Sequence, residues 1–108
     1  MNKVILNIGL EKGTGKKGKI NANDVLKTIE SIVFTVHHKI EKSSTEDTLI
    51  VYGVTKLNKE KFINEIKKVC EIFSQEAIAA KYNNQGLLIH LDKERWDWGE
   101  FNEDYFLS

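Results

Sequence analysis

Apolar residues recur along this chain with two spacings, and the changes between them mark out the elements. Val4, Ile5, Leu6, Ile8 and Leu10 form a nearly continuous run rich in β-branched side chains, which predicts a central strand covered on both faces. The period then lengthens. Val25, Leu26, Ile29, Ile32 and Val33 follow the rhythm of one buried helical face, with Lys27, Glu30 and Ser31 turned to water. Asn21 stands where a side chain can cap the first turn, and Ile20 and Val25 are spaced as a hydrophobic staple.

From Phe34 the period is two. Phe34, Val36, His38 and Ile40 alternate with Thr35, His37, Lys39 and Glu41, which predicts a half-buried strand. Ser43 to Asp47 supply a polar turn, and Thr48–Val54 returns as the antiparallel partner. A second helix has Asn58 as cap, Leu57 and Phe62 as staple, and Phe62, Ile63, Ile66, Val69, Cys70 and Phe73 along its apolar face. Residues 76–82 and Leu87–Leu91 flank Asn83-Asn84-Gln85-Gly86 as a last hairpin with a four-residue turn.

This order predicts an α+β fold on the ferredoxin-like β-α-β-β-α-β plan with an extra C-terminal strand, two helices lying on one face of an antiparallel sheet. It forms a single domain over residues 1–108, with an α+β core over 1–91 and an aromatic, acidic segment over 92–108. At 108 residues the chain has material for one core. No apolar run is long enough to span a membrane, and the N-terminus turns polar too soon for a signal peptide. The single cysteine, Cys70, agrees with a reducing compartment, so a cytoplasmic location is expected.

The net charge is zero, so no global field draws the chain to nucleic acid or to an anionic membrane. Its distribution is uneven. Residues 1–20 hold five lysines and one glutamate, whereas residues 92–108 hold six carboxylates against Lys93 and Arg95. Lys12-Gly13-Thr14-Gly15-Lys16-Lys17-Gly18-Lys19 spells both GxGxxG and GxxxxGK, patterns that cradle phosphates at a helix N-terminus. Ile20 stands where a Mg²⁺-holding Ser or Thr belongs, and the helix cap comes later, so the segment reads as a solvated hairpin tip. Its lysines, Lys12, Lys16, Lys17 and Lys19, are candidates for binding an anion or phosphate by charge alone.

His37 and His38, adjacent on a strand, point to opposite faces; His38 and His90 are the pair able to meet across the sheet. Cys70, on the apolar face of the second helix, reads as packing and not as a nucleophile. Tyr52 is the one aromatic on the two central strands, too little for a base-stacking RNA platform. No metal site and no cofactor is expected.

The C-terminal segment holds five of the ten aromatics: Trp96, Trp98, Phe101, Tyr105 and Phe106. Burying such rings is worth roughly 2–3 kcal/mol each. Two readings are open. The rings complete a small core, or some of them anchor a partner, as Trp and Tyr do at interface hot spots. On the second reading Trp96, Trp98, Phe101 and Tyr105 are the anchors, and Asp97, Glu100, Glu103 and Asp104 form a rim that selects a partner with a basic surface.

Ser44-Thr45-Glu46-Asp47-Thr48-Leu49, Gln75-Glu76-Ala77-Ile78-Ala79 and Trp98-Gly99-Glu100-Phe101-Asn102 resemble segments of small uncharacterised proteins of phages and mobile elements. The resemblance implies a short accessory protein, and many of these act by binding and blocking a host enzyme. The leading expectation is therefore a non-enzymatic protein-binding module, one version being an inhibitor of a host defence enzyme. A second is a small-ligand or nucleotide binder in which Lys16, Lys17 and Lys19 hold phosphate and His38 or His90 lines a pocket. A small hydrolase ranks third, since neither paired carboxylates nor an activated nucleophile is found. Pairing with a second copy through a sheet edge is expected at Thr48–Val54 or Leu87–Leu91.

Overall fold

In the computed structural model residues 1–12 and 18–90 are described in full and residues 96–100 as backbone. The elements are β1 (Asn2–Gly9), α1 (Ala22–Ile29), β2 (Phe34–Glu41), β3 (Thr48–Thr55), α2 (Lys59–Ile72), β4 (Ala77–Tyr82), β5 (Gln85–His90) and β6 (Trp96–Glu100). The fold is α+β. One sheet runs in the order β2-β3-β1-β4-β5-β6, and every neighbouring pair is antiparallel.

Both helices cover the same face. Val4, Leu6 and Ile8 of β1, Leu49 and Val51 of β3, Ile78 and Ala80 of β4, and Leu87 and Ile89 of β5 point into one cluster. Val25 and Ile29 of α1 and Phe62, Ile63, Ile66, Val69 and Cys70 of α2 close it from above. The opposite face carries Lys3, Ile5 and Asn7 in register with Val54, Tyr52 and Ile50. Strand β1 is central as expected, but it is buried on alternate residues and not on both faces, because helices lie on one side only.

The helix starts follow the local chemistry. Asn21 Oδ1 accepts the N–H of Asn23 at 2.8 Å, and Asn58 Oδ1 accepts that of Lys61 at 2.9 Å. Helix α2 ends in a Schellman arrangement: Ser74 takes φ +53°, and the Gln75 N–H donates to the Cys70 carbonyl at 2.8 Å. Helix α1 stops at Ile29, sooner than its apolar rhythm predicts; Ile32 and Val33 are buried in the turn that follows. The last hairpin turns on two residues, Asn83 and Asn84, with Gln85 and Gly86 already in β5, so the four-residue turn is corrected. Asn83 makes the tighter turn by adopting φ +52°, a conformation asparagine tolerates.

Two expectations about edges are corrected. Thr48–Val54 lies inside the sheet between β2 and β1, and Leu87–His90 lies between β4 and β6, so neither is an edge. Strand β2 is terminal, and among the described residues nothing pairs with its outer side. It is also not half-buried: Phe34 is 71% exposed, Val36 70% and Ile40 45%, and His38 is exposed as well. Phe34, in register with Val54, points to the helix-free face, and on the helix side His38 and Ile40 stay exposed at the outermost strand. A bulge between Thr35 and His37 then brings Val36 to the helix-free side, where it lines the surface beside Ile5 and Tyr52.

Candidate functional site

The helix-free face of the sheet holds a shallow trough of about 710 Å³ over β1 and β3. Ile5, Val36, Tyr52 and Val54 form its floor and one wall, and Lys3 and Lys81 stand at its sides. The strand register places them there: Ile5 is level with Tyr52 on one side and with Lys81 on the other, and Lys3 with Val54. Asn83 fixes the end of the trough. Its N–H donates to the Lys3 carbonyl at 2.7 Å, its Oδ1 accepts the Lys3 N–H at 3.0 Å, and its Nδ2 donates to Asn2 Oδ1 at 3.0 Å.

Ring chemistry is present at the β2 side. The His37 imidazole stacks on the Tyr52 phenol with centroids 5.6 Å apart and planes at 29°. Next along β2, Lys39 Nζ lies 2.7 Å from Glu41 Oε1. The hydrogen bond from Lys39 to this carboxylate raises the lysine above its usual range.

The residues singled out in the sequence fall in separate places. Beyond β1, Glu11 and Lys19 form an isolated antiparallel bridge, and the Lys12 N–H donates to the Gly18 carbonyl at 3.0 Å. Lys12 and Lys19 are exposed there; residues 13–17, Lys16 and Lys17 among them, lie outside the described residues. His37 faces the trough side with Tyr52, while His38 pairs with Val51 on the helix side. His90 pairs with Ala77, and three strands separate β5 from β2, so His38 and His90 do not meet. Among the described residues no group of three or more His, Cys, Asp or Glu is placed to hold a metal ion.

Cys70 is fully buried, with its Sγ 3.8 Å from the Ile89 carbonyl. Burial pushes its thiol up to about 12. Of the C-terminal candidates, Trp96, Asp97, Trp98 and Glu100 belong to β6, which pairs with β5 and forms the sheet edge remote from β2. Their side chains, and Phe101, Glu103, Asp104 and Tyr105, lie outside the described residues. Among the described residues no helix is long and apolar enough to cross a membrane.

The apolar strip on β2 was not legible as a surface. Phe34 and Val36 carry the alternation of a buried strand, but Phe34 faces the helix-free side in register with Val54, and the bulge brings Val36 to the same side. The chain matches no protein-family model, and no curated protein and no solved structure matches it.

Proposed function

We propose that this chain is a non-enzymatic protein-binding module whose docking surface is the exposed strip of β2 with the adjoining trough. One observation carries the reading: Phe34 and Val36, large apolar residues more than two-thirds exposed, lie beside a concave sheet face instead of being scattered singly. A partner that lays an apolar ridge along Phe34, Val36 and Val54, with carboxylates against Lys3 and Lys81, matches the surface in shape and charge. The acidic segment, whose residues Trp96–Glu100 form the opposite edge of the sheet, is proposed as a separate contact for a basic surface. In its most specific version the partner is a host enzyme that the module blocks, as the resemblance to mobile-element proteins implies.

The architecture assumed is the ferredoxin-like plan, supported by the order β2-β3-β1-β4 with β5 and β6 added beyond β4. A cytoplasmic setting belongs to the same proposal and rests on a lone cysteine buried as a thiol. The test is affinity capture from a lysate of the source cells, comparing wild type with Phe34→Asp/Val36→Asp and with Trp96→Ala/Trp98→Ala, each checked by circular dichroism. Loss of a stoichiometric partner in the β2 variant alone is the expected result, with an affinity drop of roughly thirtyfold or more for a hot-spot pair. Retention by the β2 variant and loss from the tryptophan variant moves the surface to the far edge.

The stacked His37–Tyr52 pair beside Lys3 and Lys81 favours a second reading, a nucleotide or similar aromatic anion bound in the trough, in place of the lysine-glycine loop. A nucleoside monophosphate at a hundred times its dissociation constant then stabilises the fold by about 2.7 kcal/mol, a rise of roughly 10–20 °C in melting temperature. Tyr52→Ala should abolish the rise. A flat response across a nucleotide panel ends this reading.

A further inference from the structure

We infer that β2 pairs antiparallel with β2 of a second copy of this chain, on a two-fold axis at Ile40, so that two sheets join into one. Strand edges are ordinarily blunted by shortness, proline, charge or a bulge. Here the terminal strand is eight residues long, the chain has no proline, and the single bulge lies at Thr35/His37. Beyond the bulge the ladder is regular: His37, His38, Lys39, Ile40 and Glu41 pair in turn with Tyr52, Val51, Ile50, Leu49 and Thr48. This half of β2 is a straight template whose outer side nothing among the described residues covers. Ile40 sits on the helix side opposite the fully buried Leu49, yet is itself 45% exposed.

Charge selects the register. Lys39 and Glu41 flank Ile40 on the helix-free face and already pair within one chain. Centring the axis on Ile40 sets Lys39 opposite the partner's Glu41 and Glu41 opposite the partner's Lys39, closing a ring of four alternating charges on the helix-free face, with an Ile40–Ile40 contact on the helix side. Centring on Lys39 opposes two lysines, and centring on Glu41 opposes two carboxylates. Half-residue shifts set a charged side chain against Ile40 and put the two copies' helices on opposite faces. The chosen register keeps all four helices on one face and leaves Phe34, Val36 and the trough exposed on the other, doubling the docking surface proposed above without using it.

Sedimentation equilibrium over a wide concentration series tests this. The wild type is expected to dimerise. Glu41→Lys sets lysine against lysine twice, and Lys39→Glu sets glutamate against glutamate twice; each should weaken the dimer about tenfold or more while the circular dichroism stays unchanged. The double reversal Lys39→Glu/Glu41→Lys restores the alternating ring and the dimer with it. A wild type that stays monomeric throughout, a dimer indifferent to the single reversals, or a double variant no tighter than the singles overturns the proposal. Capture of a partner at Phe34 and Val36 is scored in a different assay, so the two readings fail separately.

Discussion

Gly53→Ala is expected to destabilise the protein by about 3 kcal/mol, the upper end of the cost of overpacking a well-filled interior. Gly53 lies on the helix side of β3, in register with Thr35. A Cβ there would stand 2.7 Å from Val33 Cγ1 and closer still to the Phe34 carbonyl oxygen. Neither neighbour can yield cheaply: Val33 is buried in the core, and the Phe34 carbonyl belongs to the backbone that starts β2. The entry of β2 must therefore move away from β3, disturbing the bulge that presents Val36. Denaturant titration should show the loss, and for a chain of this length the melting temperature should fall by roughly 10–20 °C. Gly9→Ala is the control. Its Cβ would meet the Glu46 side chain, which can swing aside, and stand 3.3 Å from Gln75 Oε1, so a smaller cost of about 1 kcal/mol is expected. Equal midpoints for Gly53→Ala and wild type would contradict the packing argument.

Cys70 is expected to be inert in the folded protein. Raising the thiol from 9.0 to about 12 lowers the thiolate population at neutral pH by about a thousandfold, and full burial denies a reagent access as well. A disulfide-exchange reagent at pH 8 should modify Cys70 only as fast as the protein opens, with a rate that climbs on adding denaturant. Reaction at the rate of a small exposed thiol would contradict this and reopen the cysteine as a nucleophile. The pH dependence has a definite sign. The folded state holds the thiol proton more tightly than the unfolded chain, so this contribution to stability is complete below pH 9 and is lost as pH rises from 9 towards 12. Cys70→Ala should lack that part of the alkaline loss.

Local chemistry made both helix starts readable, because Asn21 and Asn58 each carry an acceptor where a first turn leaves its N–H groups unpaired. The order of strands and helices was readable too, since burial on one face imposes a period that changes with each element. The faces of β1 were not: its nearly continuous apolar run suggested cover on both sides, whereas only Val4, Leu6 and Ile8 point into the core. Nor was the candidate site. Tyr52 looked isolated as a ring on a central strand, and its stacking partner His37 lies fifteen residues away on the neighbouring strand. Lys3 and Lys81 lie far apart along the chain and share a trough because β4 pairs with β1.

What the sequence determined by itself is therefore local: element types, their order, the helix caps and the apolar faces of the helices. What only the tertiary structure decided is which strand lies at the edge and which apolar residues meet water. An alternating strand such as β2 has the same pattern whether a helix covers it or not. Phe34 and Val36 became surface because the helices pack on the other face and the bulge re-aims Val36, and Ile40 because long-range pairing makes its strand the outermost, reasons that lie outside their own segment.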